Sequence, residues 1–175
     1  MRRTSLLLPC CGGNFDIFSV IFRYDQVSIF GYICLWGCYD AEFSANTIPF
    51  FDRVPEEKIQ IFVSRLLLAE LTGAPDEVRE LLNRIPVEQQ QPVTLDDEAR
   101  NLANKYIEEN VVGKTSKADC QHIAMATLAK ADVLVSWNFK HIVNLDRIRG
   151  FNGVNLLLGY GPIEIRTPKE IERYD

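Results

Sequence analysis

Glu70 lies in the run Leu66-Leu67-Leu68-Ala69-Glu70-Leu71, and at spacings of four and three it shares a helical stripe with Leu66 and Leu67. A carboxylate pressed against apolar side chains is costly unless a cation or hydrogen-bond donor compensates it. Either Glu70 meets such a partner, or it is a solvated helix glutamate. Asp119 stands three residues after Ser116, so Ser116-Lys117-Ala118-Asp119 fits a capping box. A carboxylate at a helix start can equally face a cleft. His122, one turn further on, reads as a packing or hydrogen-bonding residue in preference to a ligand. Asn138 directly follows the apolar run Val133-Leu134-Val135-Ser136-Trp137.

The chain has 175 residues and a formal net charge of −5, which is not the footprint of an ordinary nucleic-acid binder. Carboxylates that gather a divalent ion change that argument, because phosphate is then bound through the metal. The five cysteines, Cys10, Cys11, Cys34, Cys38 and Cys120, are odd in number and lack a disulfide-like pattern, which suits a reducing cytoplasm. Cys34 and Cys38 have no second pair at zinc spacing, so no zinc site is expected. Arg2, Arg3 and Leu6-Leu7-Leu8 imitate the start of a signal peptide. The run is broken at once by Pro9, Cys10, Cys11, Gly12 and Gly13, too soon for export. No later stretch approaches the ~20 apolar residues of a membrane span. The expectation is a cytoplasmic protein with no membrane contact.

The elements that would position these residues alternate between strand and helix. Residues 1–26 form a poorly defined N-terminal segment, and 27–175 read as one α/β domain. Val27 to Leu35 is rich in apolar, β-branched and aromatic residues and reads as a strand. Asn46-Thr47 opens a helix through Phe50, Phe51 and Val54, with Pro49 in its first turn. Lys58 to Val63 alternates as a second strand, and Ser64 caps a helix over Arg65 to Leu71 that Gly73 ends. A helix from Pro75 carries Val78, Leu81 and Leu82 and closes at Pro86, and Gln89 to Pro92 reads as a loop. Asp96 to Asn110 is helical, with Ala99, Leu102, Ala103, Tyr106 and Ile107 on one stripe. A helix from Ser116 to Lys130 precedes a strand at Val133–Trp137 buried on both faces. Ile163 to Arg166 is the last strand, before a short helix at Pro168–Arg173. The alternation predicts a parallel sheet flanked by helices. In such sheets sites form beyond the carboxyl ends of the strands, which favours Ser64, Glu70 and Asn138 and puts Asp132 at the wrong end.

The segment Ala118-Asp119-Cys120-Gln121-His122-Ile123-Ala124, followed by Ala131-Asp132-Val133-Leu134-Val135-Ser136-Trp137-Asn138-Phe139-Lys140-His141-Ile142, resembles the second half of a PIN domain. There a helix beginning D-x-x-H-I-A leads through A-D-x-L-V-T-W to N/D-F-K-H. Ser64 to Glu70 is similar to the family's second acidic segment, and the likeness covers about residues 46–172. The resemblance implies a PIN-like parallel sheet flanked by helices, with acids that hold Mg²⁺ or Mn²⁺ and cleave RNA. It makes Glu70 and Asp119 metal ligands and puts Asn138 in the place of a fourth acid, where it orients water or phosphate. It also implies a toxin-like ribonuclease, with a small antitoxin protein and a homodimer as partners.

The family's first motif, an aspartate in a phrase like L-D-T-S-V-Y-G, is missing. Residues 30–37 read Phe30-Gly31-Tyr32-Ile33-Cys34-Leu35-Trp36-Gly37, and neither Asp25 nor Asp40 matches the motif position. These residues can be encoded TTT GGA TAC ATC TGT CTA TGG GGN, which read one base later gives Leu-Asp-Thr-Ser-Val-Tyr-Gly. The segment before about Cys38 is accordingly expected to be out of the ancestral frame. Three readings follow: a metal-dependent ribonuclease impaired by loss of its first aspartate, a degenerate PIN fold that binds RNA or protein without cleaving, and an unrelated small α/β domain. Metal-dependent cleavage separates the first two, and wide separation of Glu70 and Asp119 marks the third.

Overall fold

The computed structural model describes residues 21–23 and 42–171. The expected strand at 27–35, the phrase at 30–37, Asp25, Asp40 and every cysteine except Cys120 lie outside the described residues, as does the end of the last expected helix. The elements are β1 (Ile21–Arg23), α1 (Ser44–Glu56), β2 (Gln60–Ser64), α2 (Arg65–Leu71), α3 (Asp76–Asn83) and β3 (Gln90–Val93), followed by α4 (Asp97–Glu108), α5 (Lys117–Leu128), β4 (Val133–Val135), α6 (Leu145–Leu157), β5 (Glu164–Arg166) and α7 (Pro168–Ile171).

The α/β class stands. The parallel sheet is present in part: the strand order is β3-β2-β1-β4-β5, with parallel pairs β2–β3 and β4–β5 on either side of β1, which runs antiparallel to both neighbours. β1 and β2 pair antiparallel although α1 lies between them in the chain.

Alternation along the strands divides the core between two faces. Phe62, Leu134 and Ile165 pack with α4, α5 and α6 residues such as Leu102, Tyr106, Ile123 and Phe151. Ile61, Val133 and Val135 pack with Phe50, Val54, Leu67, Val78 and Ile171 from the opposite helices. Val133, Leu134 and Val135 are all buried, as expected of a strand covered on both sides.

Caps define several helix starts. Ser64 is extended, and its Oγ accepts from the Leu67 amide at 3.0 Å, while the Asp96 carboxylate accepts from the Ala99 amide at 2.8 Å. α1 begins at Ser44, so Pro49 falls in its second turn, beyond the first turn expected for it. Two elements depart further from the sequence reading. The glutamine-rich stretch read as a loop is strand β3, at the sheet edge, where Pro92 is tolerated. Its polarity serves other elements: Gln89 Nε2 donates to the Val54 and Ile59 carbonyls, both at 2.9 Å, and Gln90 Nε2 to the Ile85 carbonyl at 2.8 Å. α6 was not anticipated, because Gly150 and Gly153 interrupt its pattern. Asn144 caps it, accepting from the Asp146 and Arg147 amides. Gly150 allows a close approach, since a Cβ there would lie 2.7 Å from Val111 Cγ1. No helix among the described residues is long and apolar enough to cross a membrane.

Candidate active site

β2 and β4 end on the same side of the sheet, and the chain leaving each supplies one side of the site. After β2, the Ser64 cap turns the chain directly into α2, which carries Glu70. After β4, Ser136, Trp137 and Asn138 are buried, and the Asn138 amide N–H donates to Ser136 Oγ at 3.0 Å. α5 contributes Asp119 in its first turn and His122 three residues later, on the same helix face.

Two contacts join these elements. Asn138 Nδ2 donates to Asp119 Oδ1 at 3.3 Å, and His122 Nε2 lies 3.1 and 3.2 Å from the two carboxylate oxygens of Glu70. Asp119 is 0% exposed and His122 1%, whereas the Glu70 side chain keeps 15% of its surface. Asp119 thus touches Asn138, and His122, one turn further along α5, touches Glu70. The glutamate on the apolar stripe of α2 thus meets a buried polar partner, His122. His122 acts as the hydrogen-bonding residue expected of it.

The capping-box alternative for Asp119 loses its first half. Ser116 sits at the N-cap of α5, but its side chain makes no cap hydrogen bond and its buried Oγ has no partner. Asn138 is fixed on every side: its Oδ1 accepts from the His141 amide at 3.0 Å, and its carbonyl accepts from Ile142 and Val143. Its Nδ2 is thereby held toward Asp119. Cys120 is buried beside the site, and burial, reinforced by the Asp119 charge, pushes its thiol up to about 12. Asp132 is exposed and precedes β4, so it stands at the opposite end of the sheet.

Exposed cations lie on the same segments: Arg65 opens α2, Lys114 and Lys117 flank Ser116, and Lys140 follows Asn138 by two residues. The sequence reading also passed over an aromatic group. Phe43 stacks on Trp137 with ring centroids 4.7 Å apart, and Phe139 lies 6.0 Å from Trp137 and 6.3 Å from Phe43. Aromatic residues on both sides of Asn138 were the available signal.

Among the described residues no group of three or more His, Cys, Asp or Glu side chains is arranged to hold a metal ion. The donors present are nevertheless of the right kind for a hard cation, which takes oxygen ligands and is commonly held by one or two carboxylates with water completing the shell. Glu70 and Asp119 would supply the carboxylates and Asn138 an amide. No family model, curated protein or solved structure matches the chain.

Proposed function

We propose that the chain is a Mg²⁺-dependent (or Mn²⁺-dependent) endoribonuclease of PIN type, similar to the toxin of a bacterial toxin–antitoxin pair, and that loss of the first aspartate impairs it. The observation that carries the reading is that α5 brings Asp119 to Asn138 at 3.3 Å and, one turn on, His122 to Glu70 at 3.1 Å. Residues distant in sequence meet beyond the strand ends, where α/β sheets place their sites.

In this reading Glu70 and Asp119 hold the metal, and His122 fixes the orientation of Glu70. A divalent ion held by these carboxylates would supply a more acidic bound water for hydrolysis of a phosphodiester. Arg65, Lys114, Lys117 and Lys140 contact flanking phosphates, which supplies local positive charge to an acidic chain. A PIN-type sheet would have a parallel strand between β2 and β4. The three-residue antiparallel β1 at that position agrees with an N-terminal segment out of its ancestral frame.

The second reading, a PIN fold that binds RNA or a protein without cleaving, is favoured by the closure of the site on itself. Asn138 already satisfies one Asp119 oxygen, and His122 engages both oxygens of Glu70. Cleavage of RNA at equal Mg²⁺ by the chain as it stands, and by a chain with Leu-Asp-Thr-Ser-Val-Tyr-Gly in place of residues 30–37, separates the two. Weak or no cleavage by the first and Mg²⁺-dependent cleavage by the second is the expected result. Failure of both proteins to cleave, with the repaired chain folded, leaves the binding reading. An antitoxin and a second copy of the chain belong to the same proposal, tested by co-purification with the product of any small adjacent gene and by sedimentation.

A further inference from the structure

At the end of α6 the chain exposes three successive leucines, Leu156, Leu157 and Leu158, with 63%, 72% and 44% of their surfaces in solvent. Single exposed leucines are ordinary, but a contiguous group beside a cleft marks a contact surface. The turn that follows is fixed. Gly159 takes φ +83°, its amide donates to the Leu156 carbonyl at 3.1 Å, and the Tyr160 amide donates to the Asn155 carbonyl at 2.8 Å. Tyr160 thereby reaches α4, where its hydroxyl donates to Glu98 Oε1 at 2.8 Å. Between the two segments lies a cleft of about 450 Å³, lined by Glu98, Asn101, Leu102 and Lys105 from one stripe of α4 and by Leu158 and Tyr160. Its surroundings are negative. Residues 96–109 carry the carboxylates of Asp96, Asp97, Glu98, Glu108 and Glu109 against the cations Arg100 and Lys105. Lys105 Nζ is itself held by Glu109 at 3.0 Å and Glu108 at 3.4 Å. The hydrogen bond to Glu98, with burial and the charges of Glu98 and Asp96 adding to it, pushes the Tyr160 hydroxyl above its ordinary range.

We propose that this cleft receives an arginine side chain of a partner polypeptide, with apolar residues beside that arginine covering Leu156 and Leu157. A guanidinium is planar, so it stacks on an aromatic ring and forks onto a carboxylate, and Tyr160 and Glu98 offer both. Its methylene stem is apolar and suits the walls made by Leu102 and Leu158. The excess negative charge of α4 complements a basic segment and repels phosphate, which sets the occupant apart from nucleic acid. A free small cation would leave Leu156 and Leu157 in water, whereas a polypeptide brings charge and apolar side chains together. Leu158 and Tyr160 precede β5, which runs parallel to β4, so the cleft lies toward the amino ends of these strands, while Asn138 follows the carboxyl end of β4. The partner is thus held at the other end of the sheet from Asp119 and Asn138, and the inference stands apart from the ribonuclease reading.

The test is a titration of the full isotope-labelled chain at low salt, followed by NMR, with the probe N-acetyl-Leu-Arg-Leu amide. Its citrulline counterpart and N-acetyl-arginine amide are the comparisons, citrulline keeping the shape of arginine without its charge. The arginine tripeptide should give saturable shifts at the amides of Glu98, Leu158 and Tyr160. The citrulline tripeptide should bind at least about threefold more weakly, and so should N-acetyl-arginine amide, which lacks the leucines. Glu98→Gln should bring the arginine tripeptide down to the affinity of the citrulline one, with a thermal melt near that of the parent. Tyr160→Phe keeps the ring and removes the hydroxyl that competes for Glu98, so it should bind at least as tightly as the parent. Absence of saturable shifts at these residues, equal binding of the citrulline tripeptide, or unchanged binding by a folded Glu98→Gln overturns the proposal. Binding of N-acetyl-arginine amide as tight as that of the tripeptide overturns the polypeptide occupant and leaves a site for a free cation.

Discussion

Asn138 occupies the place where the resemblance leads one to expect an acid, and the difference between amide and carboxylate sets how the site behaves without metal. The amide donates to Asp119 Oδ1, so the two side chains attract without any cation between them. Asn138→Asp replaces that donor with a like charge beside a fully buried carboxylate. It should cost about 2 kcal/mol of stability in the metal-free protein, and added Mg²⁺ should recover much of the loss, because each further carboxylate raises affinity for a hard cation. Thermal melts with and without Mg²⁺ read both effects, and a loss that Mg²⁺ does not touch would count against a metal site. Asp119→Asn removes the buried charge. It should abolish Mg²⁺ binding, followed calorimetrically, while the fold stays stable. A badly destabilised variant with normal Mg²⁺ binding would make Asp119 a structural capping residue. Cys120 carries a third prediction. Its folded thiol ionises near 12 against an ordinary value of 9.0, so the unfolded chain loses that proton first as pH rises. The contribution of this thiol to stability is whole below pH 9 and falls between pH 9 and 12. Cys120→Ala should flatten that alkaline decline. In the native protein at pH 8, iodoacetamide should leave the Cys120 peptide unmodified by mass spectrometry, and rapid labelling would contradict its burial.

At the scale of elements, α4, α5 and α6 are held together by polar contacts as well as by apolar packing. Tyr106 on α4 donates to Asn155 Oδ1 on α6 at 2.5 Å, and Asn155 Nδ2 donates to Thr127 Oγ1 on α5 at 3.2 Å. Thr127 donates onward to the Ile123 carbonyl at 3.0 Å. Burial pushes the Tyr106 hydroxyl well above its ordinary range. This cluster fixes α5, and through it the positions of Asp119 and His122. α6 is also pinned where Gly150 meets Val111, at a distance that leaves no room for a methyl group. Gly150→Ala should destabilise by about 1–3 kcal/mol through overpacking, and adding Val111→Ala should relieve much of it. Chemical denaturation of the two proteins reads the outcome, and equal stability of Gly150→Ala and the parent would show that α6 can shift. A substitution so far along the chain from Glu70 should also lower Mg²⁺ affinity if α5 moves with its neighbour.

For the whole molecule the question is what completes the site. Glu70 and Asp119 are two carboxylates where the resemblance leads one to expect three or four. A missing anionic ligand lowers affinity for a hard ion, and misplacing the attacking water by about 1 Å can cost on the order of 10²-fold in rate. The chain as it stands should therefore cleave RNA poorly. Gly31→Asp alone should restore little, since its neighbours also differ from the motif, while the full phrase at 30–37 should restore Mg²⁺-dependent cleavage. Cleavage assays on the three proteins decide this. Full activity in the unrepaired chain would show that Asp25, Asp40 or a water has taken the first ligand's role. The codons for these residues bear on the same point, because a shifted frame without the motif removes the reason for repairing it.

Local rules in the sequence sufficed for Ser64 as a cap, for the buried stripe of α4 and for the doubly covered strand Val133–Val135. Each depends on neighbours within a turn or on simple alternation. Glu70, Asp119 and Asn138 could be singled out as well, by apolar context, by position after strands and by resemblance. Their relation to one another could not. That Asp119 meets Asn138 instead of capping with Ser116, and that His122 reaches Glu70 across 52 positions of the chain, are consequences of how α2 and α5 dock over the strand ends. Strand β3 and helix α6 were hidden for a related reason. Gln89, just before the first, satisfies the distant carbonyls of Val54 and Ile59, and Gly150 of the second answers to the side chain of Val111, which no local pattern records. The direction of β1 belongs with them. Its orientation is seen only in its pairing between β2 and β4, which exists once the sheet has formed.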